Sequence, residues 1–161
     1  MAQEIERKYL LKDGSWRDAV TESRRMTQGY LTTLSGGARA SVRVRVSGDA
    51  AFLNIKSMTL GVSRDEFEYP IPVADAQHML DHLCSGAVID KWRHYVRFGG
   101  LLWEIDEFLG ANAGLVVAEV ELSSEDQAIT LPDWAGAEVS DDPRYYNVSL
   151  VEHPYAQWKD V

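Results

Sequence analysis

Charged side chains recur at every second residue in several short segments of this sequence, and most of these pairs carry a single sign. The acidic members are Glu4, Glu6, Glu66, Glu68, Glu104, Asp106, Glu119 and Glu121. The basic members are Lys8, Arg43, Arg45, Lys56, Lys91 and Arg93. Residues two apart lie on the same face of a strand, where like charges repel each other. Such pairs are a poor way to decorate a surface, but a good way to build separate metal and anion sites.

The two kinds of pair match the two halves of metal-dependent phosphoryl chemistry. Carboxylate oxygens are the hard ligands that Mg²⁺ or Mn²⁺ prefers. Arg and Lys donate hydrogen bonds to phosphate oxygens. Six bases against eight acids leave a net charge of −2, which two divalent cations would convert to +2. A site of that charge is able to receive a polyanion.

Period-two alternation between loop signals predicts eight strands. They cover approximately Glu4–Leu11, Arg24–Thr32, Ala40–Val46, Ala51–Ser57, Arg64–Ile71, Ala87–Phe98, Leu101–Phe108 and Leu115–Leu122. Tight connections at Gly48-Asp49 and Gly99-Gly100 indicate antiparallel neighbours. Helical signals are fewer: an amphipathic helix over Val73–Leu83 and shorter pieces at Ser15–Val20, after Ser123–Asp126 and at Arg144–Val151.

The strands carry ions on one face and Val, Ile, Leu, Trp or Tyr on the other, so both faces need an explanation. One interpretation is a sheet whose charged face is simply solvated. The alternative, which also covers the apolar faces, is a barrel that is apolar outside under its helices and ionic within. We therefore predict a mainly β fold with flanking helices (α+β): an eight-stranded antiparallel closed β-barrel, or tunnel, with a charged interior.

Composition and motifs argue against several classes of protein. The chain has 161 residues, 45% of them apolar, and a net charge of −9, which argues against a general nucleic-acid binder. There is no apolar run of the roughly 20 residues that span a bilayer, no signal-peptide pattern and only one cysteine, Cys84. A cytoplasmic location is the default expectation. Phosphate-binding and dinucleotide-binding glycine motifs and the nucleophile elbow are absent.

The segment Glu4-Ile5-Glu6-Arg7-Lys8 resembles the E-x-E-x-K signature of the CYTH superfamily, also called triphosphate tunnel metalloenzymes. The likeness continues, in the family's order, through Gln28-Gly29-Tyr30-Leu31, Arg43-Val44-Arg45, Lys56, Ser63-Arg64-Asp65-Glu66-Phe67-Glu68, Lys91-Trp92-Arg93, Glu104-Ile105-Asp106 and Glu119-Val120-Glu121. The compact length is most similar to the small bacterial inorganic tripolyphosphatases. The resemblance implies one domain over residues 1–161.

The resemblance also implies roles for individual residues. The implied ligands of Mg²⁺ or Mn²⁺ are Glu4, Glu6, Glu119 and Glu121, with Asp106 as a contributor. The implied phosphate-binding residues are Lys8, Arg43, Arg45, Lys56, Lys91 and Arg93. Glu66, Glu68 and Glu104 would orient those bases or hold water. The implied catalytic residues are Lys8, Glu4, Glu6, Lys91 and Arg93. The expected reaction is hydrolysis of inorganic triphosphate to diphosphate and phosphate by direct attack of water.

Other functions stay open at this point, because a fold does not fix a function. Class IV adenylate cyclases resemble the same motif set, as does thiamine triphosphatase. A non-catalytic polyphosphate or nucleotide-binding module is an alternative of another class, although binding alone would gain little from carboxylates that face an anion. We expect a small triphosphate as partner and neither nucleic acid nor membrane, and a homodimer is left open.

Overall fold

Antiparallel strands dominate residues 3–33 and 36–158, which are the residues that the computed structural model describes. The strands in these ranges are β1 (Gln3–Leu11), β2 (Val20–Tyr30), β3 (Ala40–Ser47), β4 (Ala50–Ser57), β5 (Ser63–Ile71), β6 (Ser85–Phe98), β7 (Leu101–Phe108), β8 (Val116–Glu121) and β9 (Ala135–Glu138). The helices are α1 (Val73–His82) and α2 (Asn147–Glu152), with 3₁₀ turns at Ser15–Ala19, Gly110–Asn112, Pro143–Tyr145 and Tyr155–Gln157. Neither α-helix in the described ranges combines the length and apolar character that crossing a bilayer takes.

The first eight strands close into a barrel. They follow the order β5-β4-β3-β2-β6-β7-β8-β1, and the circle closes where Gln3, Glu4 and Ile5 of β1 pair with β5. Further along the same edge, β1 pairs with β9 instead. The predicted eight-stranded antiparallel closed barrel is thus confirmed, and β9 lies outside the circle.

Apolar residues pack on the outside of this barrel. One cluster, which includes Trp103 and Ile105, lies against Trp134. Helix α1 covers β3 and β4 through Ala76 and Leu80. A further cluster joins α2 to β6. The side chains enclosed by the strands are instead polar or charged, and those that are buried include Lys8, Gln28, Arg43, Asn54, Lys91, Arg93, Asp106 and Glu119. The charged interior is therefore confirmed as well.

The structure differs from the predicted elements in three places, two of which have local causes. No helix follows Ser123, because its backbone N–H and hydroxyl both donate to the Gln127 side chain, which favours a turn over a helix. The predicted helix over Arg144–Val151 is divided into a 3₁₀ turn and α2, since Tyr146 has extended backbone angles. The short strand β9 was not predicted. The expected turn of helix at Ser15–Val20 is present as the 3₁₀ turn that ends at Ala19.

Gly86 sets the close approach between β6 and α2. Its φ is +70°, and a Cβ atom there would clash with Val151 Cγ1. Gly86→Ala should therefore lower the free energy of unfolding by more than about 2 kcal/mol, because backbone strain and overpacking add. Urea denaturation measures this loss. Gly48→Ala is the matched control, since Gly48 has φ +62° but faces open space, and an equal loss in both variants would contradict the packing argument.

Candidate functional site

The barrel encloses a cavity of about 240 Å³ lined almost wholly by polar groups. Its charged lining consists of six bases and seven acids. They are Lys8, Arg43, Arg45, Lys56, Arg64 and Arg93, and Glu4, Glu6, Glu66, Glu68, Glu104, Glu119 and Glu121. Tyr30, Ser41, Asn54, Tyr146, Asn147 and Val148 complete the lining. The structure therefore brings together nearly all the residues that the sequence selected.

Most of the lining charges are separated by sign around the barrel wall, although Lys8 lies on β1 among the acids and β5 carries Arg64 together with Glu66 and Glu68. The neighbouring strands β7, β8 and β1 carry the acidic arc, which consists of Glu104, Glu119, Glu121, Glu4 and Glu6. In the strand register, Glu104 is opposite Glu119 and Glu121 is opposite Glu6. The strands β6, β3 and β4, joined through β2, carry the basic arc of Arg93, Arg45, Arg43 and Lys56. Acids thus face bases across the cavity.

The acidic arc holds more negative charge than its neighbours balance. Burial and the charges of Glu119 and Glu4 raise the pKa of Glu6 well above its usual value. Burial and the charges of Glu4 and Glu66 likewise raise the pKa of Glu121. Since like charges in a confined space disfavour ionisation, a cation bound among these side chains would restore their charged forms.

The acidic arc fits a divalent cation by its donor chemistry, since its carboxylates are hard oxygen ligands. Glu4 Oε1 is buried, and its ion-pair partner Lys56 Nζ lies 2.8 Å away. Lys8 Nζ lies 3.6 Å from Glu119 Oε1. In the conformation seen, no three acidic, His or Cys side chains of the described ranges are arranged to hold one ion. Binding would therefore require these carboxylates to turn away from their lysine partners.

Within the basic arc, Lys56 and Arg93 pair with carboxylates, whereas Arg43 and Arg45 have no such partner among the described residues. Burial and the charges of Arg43 and Arg93 lower the pKa of Arg45 to about 9. Arg45 Nε donates to the neutral Gln28 side chain at 2.8 Å. Arg43 Nε is buried with no hydrogen-bond partner. Because an unpaired buried cation is costly, this part of the wall is suited to receive an anion.

Lys91 and Asp106 contact the site without lining the cavity. Both are fully buried. Asp106 accepts a hydrogen bond from Lys91 Nζ at 2.7 Å and two from Arg93, at 2.8 and 2.9 Å. This bidentate pairing fixes the Arg93 guanidinium, which does line the cavity. Of the residues predicted to bind metal or substrate, these two are the ones that the structure places outside the lining.

Residues Tyr145–Val148, which we call the closing segment, cover one end of the cavity. Lys8 Nζ donates to the Tyr145 carbonyl at 3.1 Å. The Asn147 side-chain oxygen accepts hydrogen bonds from Lys91 and Gln28, each at 3.1 Å. These contacts join the closing segment to β1, β2 and β6. The interior is accordingly a cavity with one covered end.

Sequence reasoning did not select Arg64 or Tyr146 as site residues. The Arg64 guanidinium lies 4.3 Å from the centroid of the Tyr146 ring, and both side chains line the cavity. Arg64 carried a signal, because it belongs to the same two-residue series as Glu66 and Glu68. For Tyr146 the sequence predicted only a place in the helix over Arg144–Val151, near the mouth of the tunnel, since its contact with the cavity depends on how the closing segment packs against distant strands.

Comparisons with known proteins agree with this geometry. The CYTH domain family matches residues 2–155. The chain is 42% identical over 160 residues to the inorganic triphosphatase of Acetivibrio thermocellus, covering 99% of this chain and 100% of that protein. It is 37% identical over 150 residues to the inorganic triphosphatase of Nitrosomonas europaea, covering 91% and 95%. The solved structure of the inorganic triphosphatase NE1496 has a TM-score of 0.64 and 35% identity, covering 94% of this chain and 95% of that one.

Proposed function

The chain belongs to the CYTH domain family, and we propose that it is a metal-dependent hydrolase that converts inorganic triphosphate to diphosphate and phosphate. The observation that carries the proposal is the cavity in which an acidic arc faces a basic arc. Two relatives at 42% and 37% identity, both inorganic triphosphatases, support the same substrate.

Cavity size favours the inorganic substrate over organic triphosphates. The volume of about 240 Å³ lies below the roughly 300 Å³ at which pockets for drug-sized ligands begin. The lining offers charged donors throughout and little apolar surface on which a nucleobase could pack. Inorganic triphosphate has no organic group, so the charged donors of the lining are sufficient to bind it.

We assign substrate binding to Lys8, Arg43, Arg45, Lys56 and Arg93. The unpaired Nε of Arg43 and the depressed pKa of Arg45 would both be relieved by phosphate oxygens. Although burial opposes its charge, Glu6 and Glu4 raise the pKa of Lys56, which keeps it cationic. These donors hold the substrate in one orientation and stabilise the charge that develops on the transferring phosphoryl group and the leaving diphosphate.

We propose Glu4, Glu6, Glu119 and Glu121 as the residues that hold the divalent cation. When bound, a cation such as Mg²⁺ or Mn²⁺ offsets substrate charge and polarises phosphoryl oxygens. Asp106, which the resemblance implied as a further ligand, already accepts hydrogen bonds on both oxygens. We therefore propose that Asp106 and Lys91 position Arg93 instead of contacting metal or substrate.

The reaction itself is a direct displacement by water, without a covalent enzyme intermediate. The water oxygen forms a bond to the terminal phosphorus as the bond from that phosphorus to the bridging oxygen breaks. One proton of the water stays on the phosphate that forms, the other is released to solvent, and diphosphate is the leaving group. The protein contributes positioning and charge, which is where most catalysis of phosphoryl transfer originates.

The proposal is tested by phosphate release from inorganic triphosphate, ATP and thiamine triphosphate, with Mg²⁺, Mn²⁺ or EDTA. We expect fast turnover of inorganic triphosphate that EDTA abolishes and added metal restores. Circular dichroism in EDTA checks that the barrel stays folded. No phosphate from any substrate would favour a non-catalytic binding module, and pyrophosphate with cyclic AMP from ATP would favour a cyclase.

Several expectations from the sequence remain predictions. They are a single domain over residues 1–161, a cytoplasmic location, the lack of nucleic-acid and membrane partners, and the use of Mg²⁺ or Mn²⁺. Sedimentation tests whether the chain forms a homodimer. The metal is identified by which ion restores phosphate release after treatment with EDTA.

A further inference from the structure

A second pocket adjoins the covered end of the charged cavity and differs from it in chemistry. Its volume is about 170 Å³, and Met58, Leu60 and Pro143 give it a mainly apolar lining. Four side chains line both this pocket and the charged cavity: Ser41, Arg64, Tyr146 and Val148. An apolar space thus lies directly behind the wall of the site.

The central part of that wall is the Tyr146 ring, which is 7% exposed. Its hydroxyl donates to the Ser140 carbonyl at 2.7 Å and accepts from the Gly61 N–H at 3.4 Å. The Arg64 guanidinium lies 4.3 Å from the ring centroid, and Lys8 Nζ lies 5.4 Å from it. Hydrogen bonds at one end and two cations over the ring hold Tyr146 between the two spaces.

We infer that Tyr146, backed by Arg64, is a specificity-determining residue that excludes triphosphates carrying an organic ring. The inference rests on the proposed triphosphatase function. A nucleoside triphosphate bound with its phosphates on the basic arc needs room for its base and sugar, and the apolar pocket is the space of matching chemistry. The Tyr146 ring closes the passage to it. The two volumes together exceed the roughly 300 Å³ at which pockets for drug-sized ligands begin.

The opposite end of the cavity offers an organic ring no comparable contact. Along β5, the cavity-lining residues Glu66 and Glu68 lie two and four residues beyond Arg64, and Glu68 is exposed. A base that left by this end would lie among carboxylates and gain no apolar burial. Discrimination between inorganic and organic triphosphates therefore depends mainly on the Tyr146 wall.

The test compares kcat/KM for inorganic triphosphate with kcat/KM for ATP in wild type and in Tyr146→Ala. We expect the ratio of the two to fall at least about tenfold in the variant, since one or two missing groups in a pocket wall are worth about that much discrimination. Tyr146→Phe keeps the ring and should keep the wild-type ratio. Tyr145→Ala removes an equally buried tyrosine that lines neither space, and it should also leave the ratio unchanged.

Binding of β,γ-methylene ATP, measured by calorimetry, gives a readout independent of turnover, and it should tighten in Tyr146→Ala. Tyr146→Leu, which preserves apolar packing, should shift both measurements in the same direction if the alanine variant does not fold. An unchanged ratio with unchanged analogue binding would overturn the inference, and so would a wild type that hydrolyses ATP as efficiently as inorganic triphosphate. A wild type that releases no phosphate would overturn the proposed function, while analogue binding would still decide the role of Tyr146.

Discussion

Glu4→Gln should lower kcat/KM for inorganic triphosphate by roughly 100- to 1,000-fold, the usual loss when one preorganised electrostatic group is removed from an active site. Glu4 Oε1 is buried in the acidic arc, and Lys56 is its ion-pair partner. Gln occupies nearly the same volume but cannot carry the charge that a divalent cation requires. The barrel should stay folded, because the backbone pairing of Glu4 with Arg64 does not depend on the side chain.

Calorimetric titration with Mn²⁺ distinguishes a loss of metal binding from a loss of activity that has another cause. We expect Glu4→Gln to weaken Mn²⁺ binding, while Glu125→Gln, the same change at an exposed position in the loop after β8, alters neither binding nor turnover. If Glu4→Gln kept both wild-type metal affinity and wild-type activity, Glu4 would not be a ligand. The metal set would then have to be sought among Glu6, Glu119 and Glu121.

The barrel was predictable because its signal is local. Paired charges such as Arg43 and Arg45, separated by a buried apolar residue, identify both the strand and the face that turns inward. Two-residue connections at Gly48-Asp49 and Gly99-Gly100 then fix antiparallel neighbours. Strand β9 could not be found in this way, since its four residues, Ala135–Glu138, have little alternation and are held by pairing with the distant β1.

Which residues belong to the candidate site was predictable from the sequence. How far along the barrel each side chain lies was not. Period-two spacing assigns a side chain to a face of the sheet, and it says nothing about how far along the barrel that side chain lies. Lys91 and Arg93 share a face, yet Arg93 lines the cavity and Lys91 lies under Asn147 of the closing segment. The closing segment itself is positioned by contacts between residues more than fifty positions apart, for which a single sequence gives no signal.

The buried pairing of Asp106 with Lys91 and Arg93 leads to the largest stability effect that we expect. Asp106→Asn removes the ion-pair partner of the fully buried Lys91 and one of the two carboxylate partners of the nearly buried Arg93, which keeps Glu104 at 3.4 Å. Breaking a buried ion pair by removing one partner costs about 3–5 kcal/mol. Urea denaturation near pH 6 should show a loss of this size in the free energy of unfolding, against less than about 0.5 kcal/mol for Asp133→Asn at an exposed position.

The pH dependence of this loss follows from the direction of the Asp106 shift. Burial opposes its charge, but Arg93 and Lys91 lower the pKa of Asp106 to about 2. A depressed carboxylate pKa stabilises the fold fully above the unfolded value of roughly 4, and this stabilisation is lost as the pH falls through the folded value. The difference between wild type and Asp106→Asn should therefore be complete at pH 6 and shrink between about pH 4 and pH 2.

A second substitution distinguishes uncompensated charge from lost packing. Lys91→Met in the Asp106→Asn background removes the cation that has lost its carboxylate partner while keeping a long apolar side chain, so it should recover part of the lost stability. The same substitution in wild type should destabilise, because Asp106 then loses a partner at 2.7 Å. If the double variant were less stable than Asp106→Asn alone, the effect of Asp106 would come from shape and hydrogen bonding at Arg93. The lysine would then contribute mainly by filling space between β6 and the closing segment.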